Sequence, residues 1–349
     1  MSTATNDILI LDIGSAWTKA FYLSSSEKEV KFAKAKLPST AEDLRYSSTL
    51  LINKLKGTNK NPKIIITSTF SEADALAKPL SATFVNKEQT FKEIQEWFVT
   101  KNFENPIIFD GGASNFLRSF RVSDIGAYLS FPISETDLEN FIGNKTFRVF
   151  SIPEDKYQLE IEEALLRNSF KSYPELHNPN KFNNLIITGG LFSYSTKPTR
   201  IALLLLDLMA SGKVVQVLQD NSAFLNAYGA LISQRKNFKS ADVHFLENLG
   251  CLVSLGGTGK VSLNYGLSEV QEVSISQDEI ALIPASEDQK VELTILSNPK
   301  QKFYVSGGEW GIILDGRTKP LSLEFGQEKS RVDMATWQQA LDKVELIKI

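Results

Sequence analysis

The chain has 349 residues but only one cysteine, Cys251, and two histidines, His177 and His244. One thiol cannot close an intrachain disulfide, so the fold does not depend on an oxidising compartment. Cys251 stands in the apolar run Leu249-Gly250-Cys251-Leu252-Val253 and reads as a buried packing residue, not a nucleophile. The histidines lie far apart without cysteine or histidine neighbours, which argues against zinc. No Gly-x-Ser-x-Gly elbow supports a Ser-His-Asp triad. Long hydrophobic runs are also missing. The most extended, Ile201 to Ala210, is interrupted by Asp207 and falls well short of the ~20 residues that span a bilayer as a helix. It reads as a buried core helix. The segment Met1 to Asp7 is polar and leads straight into a strand-like run, unlike a signal peptide. A cytoplasmic protein with no membrane span is expected. Finally, neither sign of charge dominates: 38 Lys and Arg face 41 Asp and Glu, for a net charge of −3. A nucleic-acid binder usually shows a strongly basic face, and none is suggested here. The stretch Lys54 to Lys63 reads as a solvated loop. The 22 phenylalanines are spread along the chain, as core residues are, rather than gathered into a stacking platform.

What is present is ordinary globular material, 42% hydrophobic and 23% charged, in a length suited to roughly two domains. Apolar runs at Ile8 to Leu11, Lys63 to Thr67, Pro106 to Phe109 and Asn184 to Ile187 read as buried strands. Helical spacing over Ser39–Leu55, Thr90–Val99, Glu160–Ser169, Thr199–Ala210 and Ala223–Ser233 alternates with them, which predicts an α/β fold. Asn115 to Arg121 is expected as a return strand. From about Asp242 the character shifts to short β-like segments punctuated by Gly256-Gly257, Asn298-Pro299 and Gly307-Gly308, with Trp337 to Val344 as a terminal helix.

Three of the strands end in glycine turns: Asp12-Ile13-Gly14-Ser15, Asp110-Gly111-Gly112 and Thr188-Gly189-Gly190. Glycine lets a backbone turn sharply and lets a phosphate approach N–H groups closely. A carboxylate at a strand end can hold a hydrated Mg²⁺, which prefers oxygen ligands and keeps several waters. Two such acids facing each other would bracket a metal–triphosphate, and Lys19 could reach a phosphate as a point charge. Any one of these turns alone is equally well an ordinary turn with a capping aspartate. The three in order are more specific.

Asp12-Ile13-Gly14-Ser15-Ala16-Trp17-Thr18-Lys19 resembles the first phosphate loop of the actin, sugar-kinase and heat-shock-chaperone ATPase superfamily. Asp110-Gly111-Gly112-Ala113-Ser114-Asn115 resembles its second phosphate loop. Leu185 to Gly190 resembles its adenosine motif, and Asp220 with Leu225 to Ala230 the helix that follows. Within the superfamily, the Asp-Gly-Gly-Ala turn, the Thr-Gly-Gly-Leu-Phe turn and the tail Gly307 to Arg317 resemble the glutamate mutase accessory family (MutL/GlmL-like). The resemblance spans motifs across residues 8–232 and this tail. It implies a two-lobed actin-like (ribonuclease H-like) fold with a C-terminal all-β module. The expected divisions are 1–125 for the first lobe, 126–240 for the second and 241–349 for the β-rich module.

It also implies roles. Gly14, Ser15, Thr18 and Lys19 would hold phosphates, and Asp12 and Asp110 would position Mg²⁺. Asp110 would also serve catalysis. Gly111 and Gly112 would donate N–H groups to phosphate, and Gly189 and Gly190 would line the adenosine pocket. The function implied is that of an ATP-binding, chaperone-like accessory or reactivating factor for a metabolic enzyme such as a cobalamin-dependent mutase, with slow ATP hydrolysis. A homo-oligomer is compatible with it. The pattern departs from the family at Ser114 and Asn115, where threonines and another acid are usual, which weakens fast hydrolysis. A non-catalytic scaffold of the pilus- or division-protein kind stays open, as does a small-molecule kinase. Trp17 either packs beneath the first loop or stacks in the cleft. Glu162-Glu163 reads as the solvated face of a helix, and Asp315 and Arg317 as a local turn pair.

Overall fold

The computed structural model describes residues 6–25, 30–39, 44–56, 61–68, 70–112, 120–149, 151–171, 183–193, 198–235, 245–266 and 270–345. The first sheet begins with the strands β1 (Asn6–Ile13), β2 (Trp17–Ser25) and β3 (Val30–Pro38) in an antiparallel meander. After helix α1 (Leu44–Leu55) come β4 (Lys63–Ser68) and β5 (Ala82–Asn86), both parallel, giving the order β3-β2-β1-β4-β5. β1 is apolar without alternation because both its faces are covered. Ile8 and Ile10 face one core, while Leu9, Leu11 and Ile13 face the other, under α1. β5 runs directly into α2 (Lys87–Thr100), whose N-cap is Asn86; its side chain accepts from the Gln89 N–H at 2.8 Å. The helix therefore starts three residues before the predicted Thr90.

The second half of the chain opens with β6 (Ile107–Asp110), α3 (Val122–Gly126), α4 (Glu135–Phe147) and α5 (Lys156–Phe170). β7 (Asn183–Thr188), the short α6 (Gly190–Ser193), α7 (Pro198–Leu208), β8 (Lys213–Asp220) and α8 (Leu225–Gln234) follow. The β-rich remainder comprises β9 (Leu246–Ser254), β10 (Gly259–Asn264), β11 (Gln271–Ile275), β12 (Ile280–Ile283), β13 (Lys290–Ile295), β14 (Gln301–Ser306) and β15 (Ile312–Asp315), and α9 (Glu328–Glu345) comes last. The predicted return strand Asn115 to Arg121 falls largely outside the described residues, as do Ser114, Asn115 and both histidines.

The second sheet has six strands in the order β12-β15-β9-β8-β7-β6. β6, within the stretch 1–125, pairs in parallel with β7 and so belongs to this sheet. The stretch after residue 240 contributes to two sheets. β9, β12 and β15 extend the second sheet, because β9 pairs antiparallel with β8 and in parallel with β15. β10, β11, β13 and β14 form a separate four-stranded antiparallel sheet. That small sheet packs Val261, Leu263, Leu293 and Val305 onto Cys251, Val253, Ile312 and Leu314. Cys251 is buried as expected, and burial pushes its thiol pKa up.

Helices α2 and α8 fill the space between the sheets. Their shared core joins Ile8, Phe21 and Ile65 of the first sheet to Ile186 and Leu218 of the second. They approach closely at Gly229, where a Cβ would lie 2.5 Å from the Thr90 carbonyl oxygen. The opposite face of the second sheet carries α5, α7 and α9 over Phe109, Leu185, Ile187 and Val217. Among the described residues, no helix is long and apolar enough to cross a membrane.

A buried ionic network fastens the last part of the chain to the second lobe. Asp207, on α7, accepts from Arg167 Nε and from Arg317 Nη1, both at 2.7 Å. Arg317 also pairs with Asp315 at 2.8 Å, and Lys319 with Asp315 at 3.0 Å. The turn pair Asp315–Arg317 read from the sequence is there, but it has a partner 110 residues away. Burial alone would raise the Asp315 pKa; the charges of Arg317 and Lys319 outweigh it and hold the carboxyl below its usual range. Arg317 also lies 4.6 Å over the Trp337 ring, which ties α9 to the same cluster. Removing one member of such a set leaves a buried charge uncompensated. Asp207→Asn is expected to cost about 3–5 kcal/mol, because it takes the carboxylate away from the buried Arg167 and leaves Arg317 with Asp315 alone. Urea unfolding followed by circular dichroism checks this, and a loss under about 1 kcal/mol would show that the network is not a fastening.

Candidate functional site

The ends of β1, β6 and β7 open into one cavity of ≈ 970 Å³ between the lobes. Asp12, Gly14, Ser15, Lys19, Asp110, Gly111, Gly112, Gly189 and Gly190 all line it. Thr18 does not. Its side chain is fully buried on β2, and its hydroxyl is hydrogen-bonded with that of Ser39 at 2.8 Å. Strand alternation puts Thr18 and Lys19 on opposite faces, so only the lysine reaches the cavity. Trp17 lines the wall, half-buried, with Lys36 Nζ 4.6 Å from its ring centroid.

Each carboxylate at the base of the cavity is held by a lysine. Lys19 Nζ lies 2.7 Å from Asp12 Oδ2, and Lys87 Nζ lies 2.5 Å from Asp110 Oδ2. Lys87 joins the two sheets through its carboxylate, whereas Lys19 and Asp12 face each other within the first sheet. Lys87 begins α2 on the first sheet, whereas Asp110 ends β6 on the second. Lys19 Nζ also approaches the Ala223 carbonyl oxygen, at the entry to α8, at 3.4 Å. Behind it, Asp220 is fully buried and accepts from the N–H groups of Phe224 and Leu225 and from the Thr188 hydroxyl. Burial pushes the Asp220 carboxyl up, while those bonds and the Lys19 charge pull it down. The acid thereby caps the start of α8 and braces the end of β7.

The glycine N–H groups are turned inward. Gly14 donates to the Trp17 carbonyl at 3.0 Å, Gly111 to the Thr188 carbonyl at 2.7 Å and Gly112 to Asp110 Oδ1 at 2.9 Å. In this arrangement the Gly111 and Gly112 N–H groups close the two turns. What the glycines supply is room. Gly189 has φ +93°, and a Cβ there would lie 2.5 Å from Asp110 Oδ1 and 2.6 Å from the Gly112 nitrogen.

Several wall residues were not singled out from the sequence. Lys87 is one. Glu160 of α5 is another; Glu162, also on the wall, and its neighbour Glu163 are buried rather than solvated as expected, because α5 is enclosed by other helices and each acid meets a base. Glu162 pairs with Lys145 at 2.6 Å, and Glu163 receives Arg200 through two bonds of 2.8 Å. Glu160 accepts from the Ser130 hydroxyl at 3.0 Å. Burial pushes the Glu162 carboxyl up, and Lys145 opposes this. Ala335, Gln338 and Gln339 of α9 complete the wall. No motif marks these positions, since their partners are remote in sequence.

No protein-family model matches the chain, and no curated protein matches its sequence. Solved structures do overlap with it. An inorganic polyphosphate/ATP-glucomannokinase from Arthrobacter sp. strain KM is 12% identical, with 66% of this chain and 99% of that chain covered at a TM-score of 0.37. The activator of the 2-hydroxyisocaproyl-CoA dehydratase from Clostridium difficile, with bound ADPNP, is 12% identical over 68% and 99% at 0.37. The ethanolamine utilization protein EutJ from Carboxydothermus hydrogenoformans is 12% identical over 64% and 88% at 0.36. The chain itself is a mixed α/β protein in which the ends of acid-tipped strands from two sheets meet at one cleft.

The crossing at Gly189 generates a paired prediction. Gly189→Ala is expected to lose about 2 kcal/mol or more, from a disfavoured positive φ and a clash with backbone. Gly190→Ala, whose Cβ would meet nothing within 4 Å, is expected to change stability by less than about 0.5 kcal/mol. Thermal and urea unfolding of the two variants side by side checks the contrast.

Proposed function

We propose that the cleft binds ATP and that the chain is an ATP-binding, chaperone-like accessory or reactivating factor for a metabolic enzyme, such as a cobalamin-dependent mutase. The observation that supports the reading most is the gathering of three glycine turns, two acids and two lysines from both lobes around one cavity. The glycine turns leave space for a polyphosphate, the lysines supply its counter-charge, and Gly189, Gly190 and Leu191 offer a surface for the nucleoside.

Slow turnover fits the geometry of Asp110. A general base must present an oxygen to the attacking group, and both oxygens of Asp110 already have a partner within the protein. Asp110 Oδ1 accepts from Gly112 and Oδ2 is held by Lys87. Ligand exchange suits this cleft better than rapid hydrolysis. Since Lys87 reaches across the lobes to Asp110, a ligand that draws it off that carboxylate changes what holds the lobes together. Such differential binding is what a nucleotide-dependent hold on a partner requires.

The Mg²⁺ expected at Asp12 and Asp110 does not fit these side chains as they stand. An ammonium group sits 2.5–2.7 Å from one oxygen of each. No step is assigned to the metal.

Calorimetric titration with ATP and a slowly hydrolysed analogue tests the reading. Lys19→Ala is expected to weaken ATP binding by about tenfold or more, the usual worth of a charge-assisted hydrogen bond. Folded protein that releases no heat with either nucleotide would sink the proposal. The accessory role is tested separately, by asking whether a cobalamin-dependent mutase is retained by the immobilised protein differently in ATP and in ADP. Equal retention, or none, would remove that part alone.

A further inference from the structure

We infer that Lys87 and Lys19 form a two-lysine clamp that takes the phosphates of the ligand directly, so that the cleft binds a polyphosphate ester or inorganic polyphosphate without a divalent cation. This rests on the nucleotide reading above and names how that site recognises its ligand.

The first observation is the position of Lys87. It is the first residue of α2, a helix of 14 residues, where the partial positive charge of the helix end disfavours a cation. A lysine there is costly unless an anion answers it, and Asp110 does so across the cleft at 2.5 Å. The lysine is also partly desolvated, with 17% of its side chain exposed and the Phe91 ring 5.4 Å from Nζ. It is thus held at the base of the cavity, facing the opposite lobe, with few other directions open to it.

The second observation concerns charge. Asp12 with Lys19 and Asp110 with Lys87 are two neutral pairs. Mg²⁺ keeps most of its waters, and those waters need carboxylate oxygens to accept from them. Here an ammonium group already sits against one oxygen of each acid and would repel the ion. Among the described residues, no three His, Cys, Asp or Glu side chains gather where they could hold a metal. A phosphate meets the reverse situation, since each lysine can exchange a carboxylate oxygen for a phosphate oxygen of greater charge.

The third observation is the state of the turns. With the N–H groups of Gly14, Gly111 and Gly112 committed inside the protein, the lysines are the groups best placed to hold the anion. The turns clear the volume and the lysines provide the attraction. The aspartates then keep the lysines in place while the cleft is empty, as internal competitors of the ligand.

That last role separates the clamp from a metal site. A carboxylate that holds Mg²⁺ helps the nucleotide bind, so removing its charge weakens binding. A carboxylate that competes with phosphate for Lys87 does the opposite. The experiment is calorimetric titration of the full chain with ATP, and with inorganic tripolyphosphate, in excess EDTA and in excess Mg²⁺. Wild type, Lys87→Gln and Asp110→Asn are compared after their folding is verified by circular dichroism. The amide oxygen that Asp110→Asn introduces can still accept from the Gly112 N–H, so the turn is preserved. The clamp requires wild-type affinities in EDTA within about threefold of those in Mg²⁺, a loss of about tenfold or more in Lys87→Gln, and a gain of several-fold in Asp110→Asn. Binding that appears only with Mg²⁺, or that falls in Asp110→Asn, overturns the clamp and leaves the nucleotide reading standing. Folded wild type that binds neither ATP nor tripolyphosphate in either buffer overturns both.

Discussion

Where β6 and β7 end side by side there is no space for a side chain on the second turn. Gly189 sits against the Asp110 carboxylate and the Gly111 and Gly112 backbone, and Gly111 donates to Thr188 across the same gap. This crossing determines where the Asp110 carboxylate points, and hence where Lys87 must reach. Thr188, one residue earlier, hands its hydroxyl to Asp220, which in turn caps α8. Because α8 packs with α2 on the first sheet, a contact of a few ångströms at the second sheet's edge sets the spacing of the lobes. The cleft is therefore a product of backbone packing before it is a product of side-chain chemistry.

Charge is handled in two ways in this molecule. In the second lobe it is locked: Arg167, Asp207, Arg317 and Asp315 are almost wholly buried and paired with one another. Arg200 with Glu163 and Lys145 with Glu162 bring similar pairs to the cavity wall on α5. At the cleft base it is exchangeable. Lys19 and Lys87 each keep a fraction of their surface open, so a competing anion can reach them. Acid–base pairs thus serve as fastening around Asp207 and as an adjustable latch at the cleft base, and access to the cavity is what separates those two places.

Much of this was legible in the sequence wherever the signal was local. Ile8 to Leu11 and Leu185 to Ile187 are strands buried on both faces, and uninterrupted apolar runs say so directly. The glycine turns announced themselves because each closes such a run. The spacing Asp12 to Lys19 was readable because the two face each other across one hairpin, paired in register. Thr18 shows the limit of motif reading, since strand alternation turns it away from the cavity. Glu162 and Glu163 show another. They look like a solvated helix face until Lys145 and Arg200 are brought up from elsewhere in the chain. Lys87 was hidden for a similar reason: β5 is short, its helix begins earlier than apolar periodicity suggests, and its partner lies 23 residues on. Asp315 and Arg317 were legible as a pair, but Asp207 was not, because nothing local links residue 207 to residue 317.

The wall of the cleft includes Ala335, Gln338 and Gln339, and the helix that carries them is anchored through Trp337 to Arg317. During synthesis these residues leave the ribosome after every loop that faces them. A nascent chain that has already made all three glycine turns still has a cavity open on one side, and Arg167 and Asp207 still await their third partner. Closure of the cavity is consequently a late event in the life of each molecule, completed by the arrival of α9, and a fragment truncated before that helix would display the motifs with one wall of the cavity missing.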